Sequence, residues 1–351
     1  MRTLVVGLGW VAGEVWLPRL LAHPGFELAG VIDTDPNAAQ RLAGLLGDIP
    51  VWAHHRAVPL DDIDVVFVLT PNHTHGSIGE WFLARGRSVF LEKPTGTDIA
   101  QLEMLAAAAT TSGARLVLSA AARKRADVGA MRELVTTGVL GEPRLAEVSW
   151  IRARGIPRAT WFTERASAGG GVLLDLGWHL IDLVHDLWSG PRLRGAAAIA
   201  TSDFVGTEQW SAAWHGAGTP SAGRRVVDVE DRLAGFVTTD RFGLGVHVAW
   251  ASHEVTDTTT ITLHGTDATA QLVTTFGFSP RRVAEPALTV LRGGVAEAVA
   301  LPASPVGAEY DAQLDALGAQ LLDPAATAQS LTAARWVLAV VDALYRSARS
   351  P

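Results

Sequence analysis

Leu4-Val5-Val6-Gly7-Leu8-Gly9-Trp10-Val11-Ala12 decides the fold. Three aliphatic residues in a row read as a buried strand, and the glycines end it. Gly7, Gly9 and Ala12 fall on the G-x-G-x-x-G/A spacing where a strand gives way to a helix. The first glycine permits the tight turn, and the second lets backbone approach a pyrophosphate. The small Ala12 lets the helix pack closely on its strand. Trp10 and Val11 complete a loop whose N–H groups and helix dipole favour phosphate. Glycine triplets also occur in ordinary tight turns, so the pattern needs a second signal. Asp33 supplies it, ending the next predicted strand at the required distance of roughly 20 residues, where a carboxylate can take both ribose hydroxyls. The same charge repels the extra phosphate of NADP, so NAD is the expected cofactor and NADP the less favoured one. Asp33 equally suits an N-cap for the helix starting near Pro36.

Outward from this stretch, short apolar runs alternate with helical patterns. Strands are expected at Leu28 to Ile32, Val65 to Leu69, Ser88 to Leu91 and Arg115 to Leu118. Helices are expected at Ala12 to Ala22, Pro36 to Leu46, His73 to Ala84 and Ile99 to Thr110. Continuous apolar strands between amphipathic helices imply a parallel sheet covered on both faces. After about residue 121 the rhythm changes. A helix over Ala126 to Thr136 precedes strand-like segments at Arg144 to Ile151, Leu233 to Thr238, Gly243 to Ala251, Thr258 to Leu263 and Ala270 to Val273. Alternation around Leu244-Gly245-Val246-His247-Val248 fits a sheet with one covered face. Thr201 to Arg225 reads as loop with short strands, and Ala333 to Ser347 as a closing amphipathic helix. The expected division is a dinucleotide-binding domain over 1–121 and a second domain over 122–351, whose last helix can pack back on the first.

A length of 351 residues, 48% of them hydrophobic and 19% charged, suits a two-domain soluble protein. The net charge of −7 offers no footprint for nucleic acid or anionic lipid. With no cysteine, disulfides, thiolate catalysis and cysteine-based metal sites are excluded. Arg2 and the apolar run to Gly13 mimic a short signal peptide, but Glu14 interrupts it and no clean cleavage site follows. No stretch is long and uncharged enough for a bilayer, and a cytoplasmic location is expected.

Of 29 basic residues only two are lysines, and one of these is Lys93 in Glu92-Lys93-Pro94. Arginine stays charged at any working pH, whereas a desolvated lysine can lose its proton and join acid–base chemistry. A surface cation at a strand end is the plainer alternative. Thr70-Pro71-Asn72-His73-Thr74-His75 follows a strand end, where open sheets form their ligand crevice. Thr70 and Asn72 can bond a ribose or nicotinamide there, though Asn72 also suits a helix cap. His54-His55 and His73-x-His75 lack further ligands nearby, so no metal is expected. In Gly169-Gly170-Gly171-Val172-Leu173-Leu174-Asp175-Leu176-Gly177-Trp178-His179-Leu180-Ile181-Asp182, three polar residues sit at i, i+4 and i+7 on one face of a helix. The glycines let backbone pass close to a ligand or a neighbouring strand. Acidic capping with an incidental histidine would write a similar pattern.

Gly7-x-Gly9-x-x-Ala12, Thr70-Pro71-Asn72-x-x-His75, Glu92-Lys93-Pro94 and Gly170-Gly171-x-x-x-Asp175-x-Gly177-x-His179-x-x-Asp182 together resemble the glucose–fructose oxidoreductase / inositol dehydrogenase (Gfo/Idh/MocA) family. Glu230-Asp231 and His264-Gly265-Thr266 extend the resemblance over essentially the whole chain. It implies an α/β fold: an N-terminal Rossmann domain, then an α/β domain with a large open, mostly antiparallel sheet that often makes a subunit interface, here a homodimer or homotetramer. It implies Lys93, Asp175 and His179 as catalytic group, with Asp175 and His179 also contacting the substrate, and with Thr70, Asn72, His75, Glu92 and Lys93 beside the cofactor. Hydride would pass between nicotinamide and a secondary alcohol or ketone of a sugar, cyclitol, amino sugar or nucleotide sugar. Arg123, Arg152, Arg154 and Trp161 are candidate substrate contacts, since an arginine fork suits phosphate or hydroxyls and an indole face suits a sugar ring. Surface salt bridges and core packing would use the same residues. Two further readings are a glycosidase working by transient oxidation on bound NAD and a non-catalytic nucleotide sensor.

Overall fold

In the computed structural model, which describes residues 1–212 and 227–349, Leu4 and Val5 are fully buried inside a six-stranded sheet. Its strands are β1 (Arg2–Val6), β2 (Glu27–Ile32), β3 (Val51–Trp52), β4 (Val65–Val68), β5 (Ser88–Leu91) and β6 (Leu116–Leu118). Every neighbouring pair is parallel, in the order β3-β2-β1-β4-β5-β6. The chain reverses direction of winding between β1 and β4, so the loops after these two strands open the crevice where such sheets bind ligands. Aromatic packing fills the layer beneath. Trp16 is fully buried with its ring 4.9 Å from Phe90 and 5.5 Å from Tyr310, both edge-on.

The expected helix over Ala12 to Ala22 is two pieces, a π-helical turn Val11–Trp16 and an α-helix Leu17–Ala22. Pro18 brings no N–H to the ladder, and the Leu17 amide reaches back to the Ala12 carbonyl instead. Met1–Ala121 and Tyr310–Arg335 form one compact unit, while Ala122–Glu309 and Trp336–Pro351 form a second. The closing helix runs over Ala325–Arg349 and contributes to both.

The second unit is built on an eight-stranded sheet, ordered β14-β13-β12-β11-β7-β10-β9-β8. The strands are β7 (Pro143–Ile151), β8 (Leu193–Thr201), β9 (Arg232–Thr239), β10 (Gly243–Ala249), β11 (Thr258–Gly265), β12 (Thr269–Thr274), β13 (Ala287–Arg292) and β14 (Val295–Val299). The β7–β10 pair is parallel and the remaining pairs antiparallel. Leu244, Val246 and Val248 are buried while Gly243, Gly245 and His247 between them are half-buried, as one covered face requires. The helix Trp178–Trp188 packs against β7 on that face.

Four strands, β3, β8, β13 and β14, and two helices, the short Arg165–Ala168 and Ala308–Leu322, lie outside the sequence-based expectations. β8 reads Leu-Arg-Gly-Ala-Ala-Ala-Ile-Ala-Thr, a composition without strand preference, and exists through its ladder to β9. Of the loop expected over Thr201 to Arg225, Thr201 ends β8 and Glu208–Trp210 is a single 3₁₀ turn. Residues 213–225 lie outside the described residues.

Candidate active site

Gly7 adopts φ +93°, and a Cβ there would lie 2.8 Å from the Leu69 carbonyl oxygen, so the turn accepts only glycine. Its amide donates to the Ile32 carbonyl at 2.8 Å, which binds the turn to the end of β2. A Cβ on Gly9 would meet nothing within 4 Å, leaving the backbone there open to a pyrophosphate. Asp33 reaches the same turn: one carboxylate oxygen accepts the Leu8 amide at 2.7 Å and the other the Asp35 amide at 2.8 Å. Each oxygen keeps a lone pair for a ribose hydroxyl. The N-cap of Pro36–Arg41 is Asp35, whose side chain accepts from the Asn37 amide at 2.9 Å, so Asp33 is not the cap. Turn, open backbone and acid fit a dinucleotide. Trp10 is half-buried at the start of the π turn, where Val11 is also half-buried and Ala12 fully buried.

The loops after β4 and β5 are tied by one ring. His75, 1% exposed, has Nδ1 2.6 Å from the Pro94 carbonyl oxygen and Nε2 2.7 Å from the Thr70 carbonyl oxygen. Burial pushes its pKa down to about 4 against the pull of these two carbonyls, and the charges of Lys93 and His73 add to the depression. The ring is therefore neutral at pH 7 and donates one N–H at a time. His75 braces the two loops and presents neither nitrogen to a cofactor. Glu92 is internal as well: its carboxylate accepts the Trp16 indole N–H at 2.8 Å, the Ser119 hydroxyl at 2.9 Å and the Lys93 amide at 3.0 Å. Lys93 and Pro94 follow through a cis peptide bond. Pro71 holds the N-cap position and Asn72, 7% exposed, is the first residue of the helix Asn72–Leu83. The Thr70 and Thr74 hydroxyls are 2.7 Å apart.

In the second unit the glycine run is packed, not open. A Cβ on Gly170 would fall 2.1 Å from the Tyr345 hydroxyl oxygen, and one on Gly171 2.0 Å from the Glu230 carbonyl oxygen. The buried Glu230 carboxylate accepts the Gly171 and Leu173 amides at 3.1 Å and the Tyr345 hydroxyl at 2.7 Å. Burial raises the Glu230 pKa, opposed by these donors, and burial together with Glu230 raises that of Tyr345. Glu230 thus binds the amides that open the π turn Leu173–Gly177. Asp175 stands in the middle of that turn, and its Oδ2 accepts the indole N–H of the fully buried Trp250 at 2.9 Å. His179 is the second residue of the following helix, its ring 5.9 Å from that of Trp150. The Arg152 guanidinium lies over the same indole, 4.9 Å from its centre. Asp175, His179 and Arg152 are therefore held on one pair of buried indoles.

The other candidates go elsewhere. The Arg123 guanidinium forks onto Asp182, with Nε–Oδ2 at 2.6 Å, and also lies 3.5 Å from Asp186, an internal ion-pair cluster that Arg132 joins at 2.6 Å. Asp182, on the stripe with Asp175 and His179, belongs to that cluster. Arg154 lies 5.8 Å from the Trp210 ring, and Trp161 stacks on Phe162 at 3.9 Å. Trp250 and Tyr345 were missed by sequence reasoning; nothing in their spacing links them to residues 75 and 115 positions away.

Comparison with known proteins agrees with both units. Residues 1–120 match the family described as "Oxidoreductase family, NAD-binding Rossmann fold", and residues 128–281 the "GFO/IDH/MocA C-terminal domain". The chain is 40% identical over 352 aligned residues, covering 100% of its length and 96% of the relative, to a putative UDP-kanosamine synthase oxidoreductase subunit of Amycolatopsis mediterranei (strain S699). It is 30% identical to a D-glucoside 3-dehydrogenase of Escherichia coli (strain K12), covering 70% of this chain and 68% of that one. Among solved structures, an oxidoreductase domain protein from Kribbella flavida superposes with a TM-score of 0.80 at 19% identity, over 99% of this chain and 96% of the other. A dinucleotide cradle in the first unit and the large open sheet of the second thus meet matches along both, and the chain belongs to the GFO/IDH/MocA family of oxidoreductases.

Proposed function

We propose that this enzyme transfers hydride between NAD and C3 of a glucose-configured, nucleotide-linked pyranose. The observation that carries the cofactor half is the open Gly9 backbone beside the Asp33 carboxylate; Asp33 also favours NAD over NADP by charge. The substrate half rests on the relatives' names. Kanosamine bears its nitrogen at C3 of a glucose skeleton, and the glucoside dehydrogenase is likewise named for position 3.

The dinucleotide supplies the hydride chemistry. The protein handles the proton. His179 takes it from the reacting hydroxyl in the direction of oxidation, Asp175 orients His179 or a neighbouring hydroxyl, and Lys93 donates a hydrogen bond to the reacting oxygen. Arg152, over Trp150 beside His179, is the favoured contact for a substrate phosphate or hydroxyl. Exposed Ile199 and Phe236 on the eight-stranded sheet suit pairing with a second copy.

The test is production of reduced dinucleotide by purified protein with NAD or NADP across UDP-sugars, free sugars, cyclitols and amino sugars. His179→Ala and Lys93→Ala are each expected to lower turnover about 10²–10⁴-fold while dinucleotide affinity stays within twofold. Wild-type turnover in either variant removes that residue from the mechanism. Glycoside cleavage without accumulation of reduced dinucleotide would favour the bound-NAD hydrolase reading.

A further inference from the structure

We propose that Trp250 is a positioning residue for Asp175, fixing that carboxylate through its indole N–H; this rests on Asp175 acting in the reaction. Trp250 follows β10, and no part of its side chain is exposed. Its own backbone is held on three sides. Its amide donates to the Asp231 carbonyl at 2.8 Å, and the neighbouring Ala249 carbonyl accepts the Arg152 amide at 3.0 Å. A Cβ on Gly155 would come within 3.0 Å of the Trp250 carbonyl oxygen, so the chain at Gly155 passes close beside it. From this fixed base the indole N–H reaches Asp175 Oδ2 at 2.9 Å.

An indole N–H is a donor only and does not titrate in the working range. It therefore offers Asp175 Oδ2 the same donor at any working pH. The main chain of Asp175 is set separately, by the Glu230-bound π turn, where the Asp175 amide donates to the Gly171 carbonyl at 3.1 Å. Backbone and side chain of one carboxylate are thus fixed by two different residues, both from the sheet side of the unit. Trp150 differs: it meets His179 ring to ring, and its N–H has no partner among the described residues, so it packs without directing a polar group.

The test is Trp250→Phe, with the isosteric replacement of Trp250 by 3-benzothienylalanine, which keeps the bicyclic shape and removes only the N–H. Both are expected to lower kcat about ten- to a hundredfold, the worth of a hydrogen bond to an ionised group, with substrate KM and dinucleotide Kd within about twofold. In an Asp175→Asn background the same replacements should change kcat less than about threefold, because coupled residues are not additive. Wild-type kcat in the benzothienyl protein, or the full loss repeated in the Asp175→Asn background, overturns the proposal. If Asp175→Asn alone turns over like the wild type, the assignment of Asp175 fails first and this inference falls with it. An inactive Asp175→Asn beside a fully active benzothienyl protein overturns the inference alone.

Discussion

Two glycine turns in this molecule look alike in sequence and do opposite things. Gly7-Leu8-Gly9 and Gly169-Gly170-Gly171 each lead into a π-helical turn, Val11–Trp16 and Leu173–Gly177. Beside Gly9 there is open space, whereas Gly170 and Gly171 are pressed against Tyr345 and Glu230. In the first turn the backbone at Gly9 stays uncovered. The second is bare so that the protein can pack on it, and that packing sets the orientation of the helix bearing Asp175 and His179. A missing side chain identifies close approach, and only the structure tells what approaches.

Placing the same methyl group in both turns puts this contrast at risk. Gly171→Ala meets a carbonyl oxygen at 2.0 Å and is expected to cost more than the about 1–3 kcal/mol typical of overpacking, seen as a lowered melting temperature or loss of folded protein. Equal stability of Gly171→Ala and wild type would break the comparison. The next effect sharpens the first unit. His75 is neutral in the folded state with a pKa near 4, below its unfolded value of 6.5. Between these values the unfolded chain binds the extra proton, so stability is full above pH 6.5 and falls by about 3 kcal/mol as pH drops towards 4. Denaturant titrations across that window should show this slope in the wild type and a shallower one in His75→Asn. Tyr345→Phe comes third: Glu230 keeps its amide donors but loses a 2.7 Å hydroxyl, a loss of about 1.5–3 kcal/mol in denaturant unfolding. Gly9→Ala is smallest for stability, with melting unchanged, yet it should weaken dinucleotide binding about tenfold or more by calorimetry. Loss of stability with retained affinity would make the two turns the same kind of object.

The first unit was legible because its signals are local. Val65 to Val68 is a short, β-branched, continuous apolar run of strand length, and Asp33 lies at the end of the strand beside the glycine turn that it bonds. The parallel character of the sheet follows from the alternation of apolar strands and helices, whereas its strand order, with β3 at the edge, is read only from the structure. The second unit was less legible because long-range pairing makes it. The alanine-rich β8 is a strand only beside β9, and Trp250 meets Asp175 only after the sheet has formed. Asp182 shows the limit of periodicity: it shares a stripe with His179, yet it faces Arg123 and Asp186's cluster. His75 and Glu92 teach the same lesson in the first unit, for motif residues beside a cofactor loop serve here to brace it.

The most direct test of the central claim uses UDP-glucose carrying deuterium at C3, mixed with NAD and the purified enzyme. Deuterium should appear in the reduced dinucleotide, with a matching 3-keto sugar nucleotide, and both should form about 10²–10⁴-fold more slowly with His179→Ala. Reduced dinucleotide without deuterium would move the reaction to another carbon. No reduced dinucleotide at all, with NAD demonstrably bound, would contradict hydride transfer from this sugar.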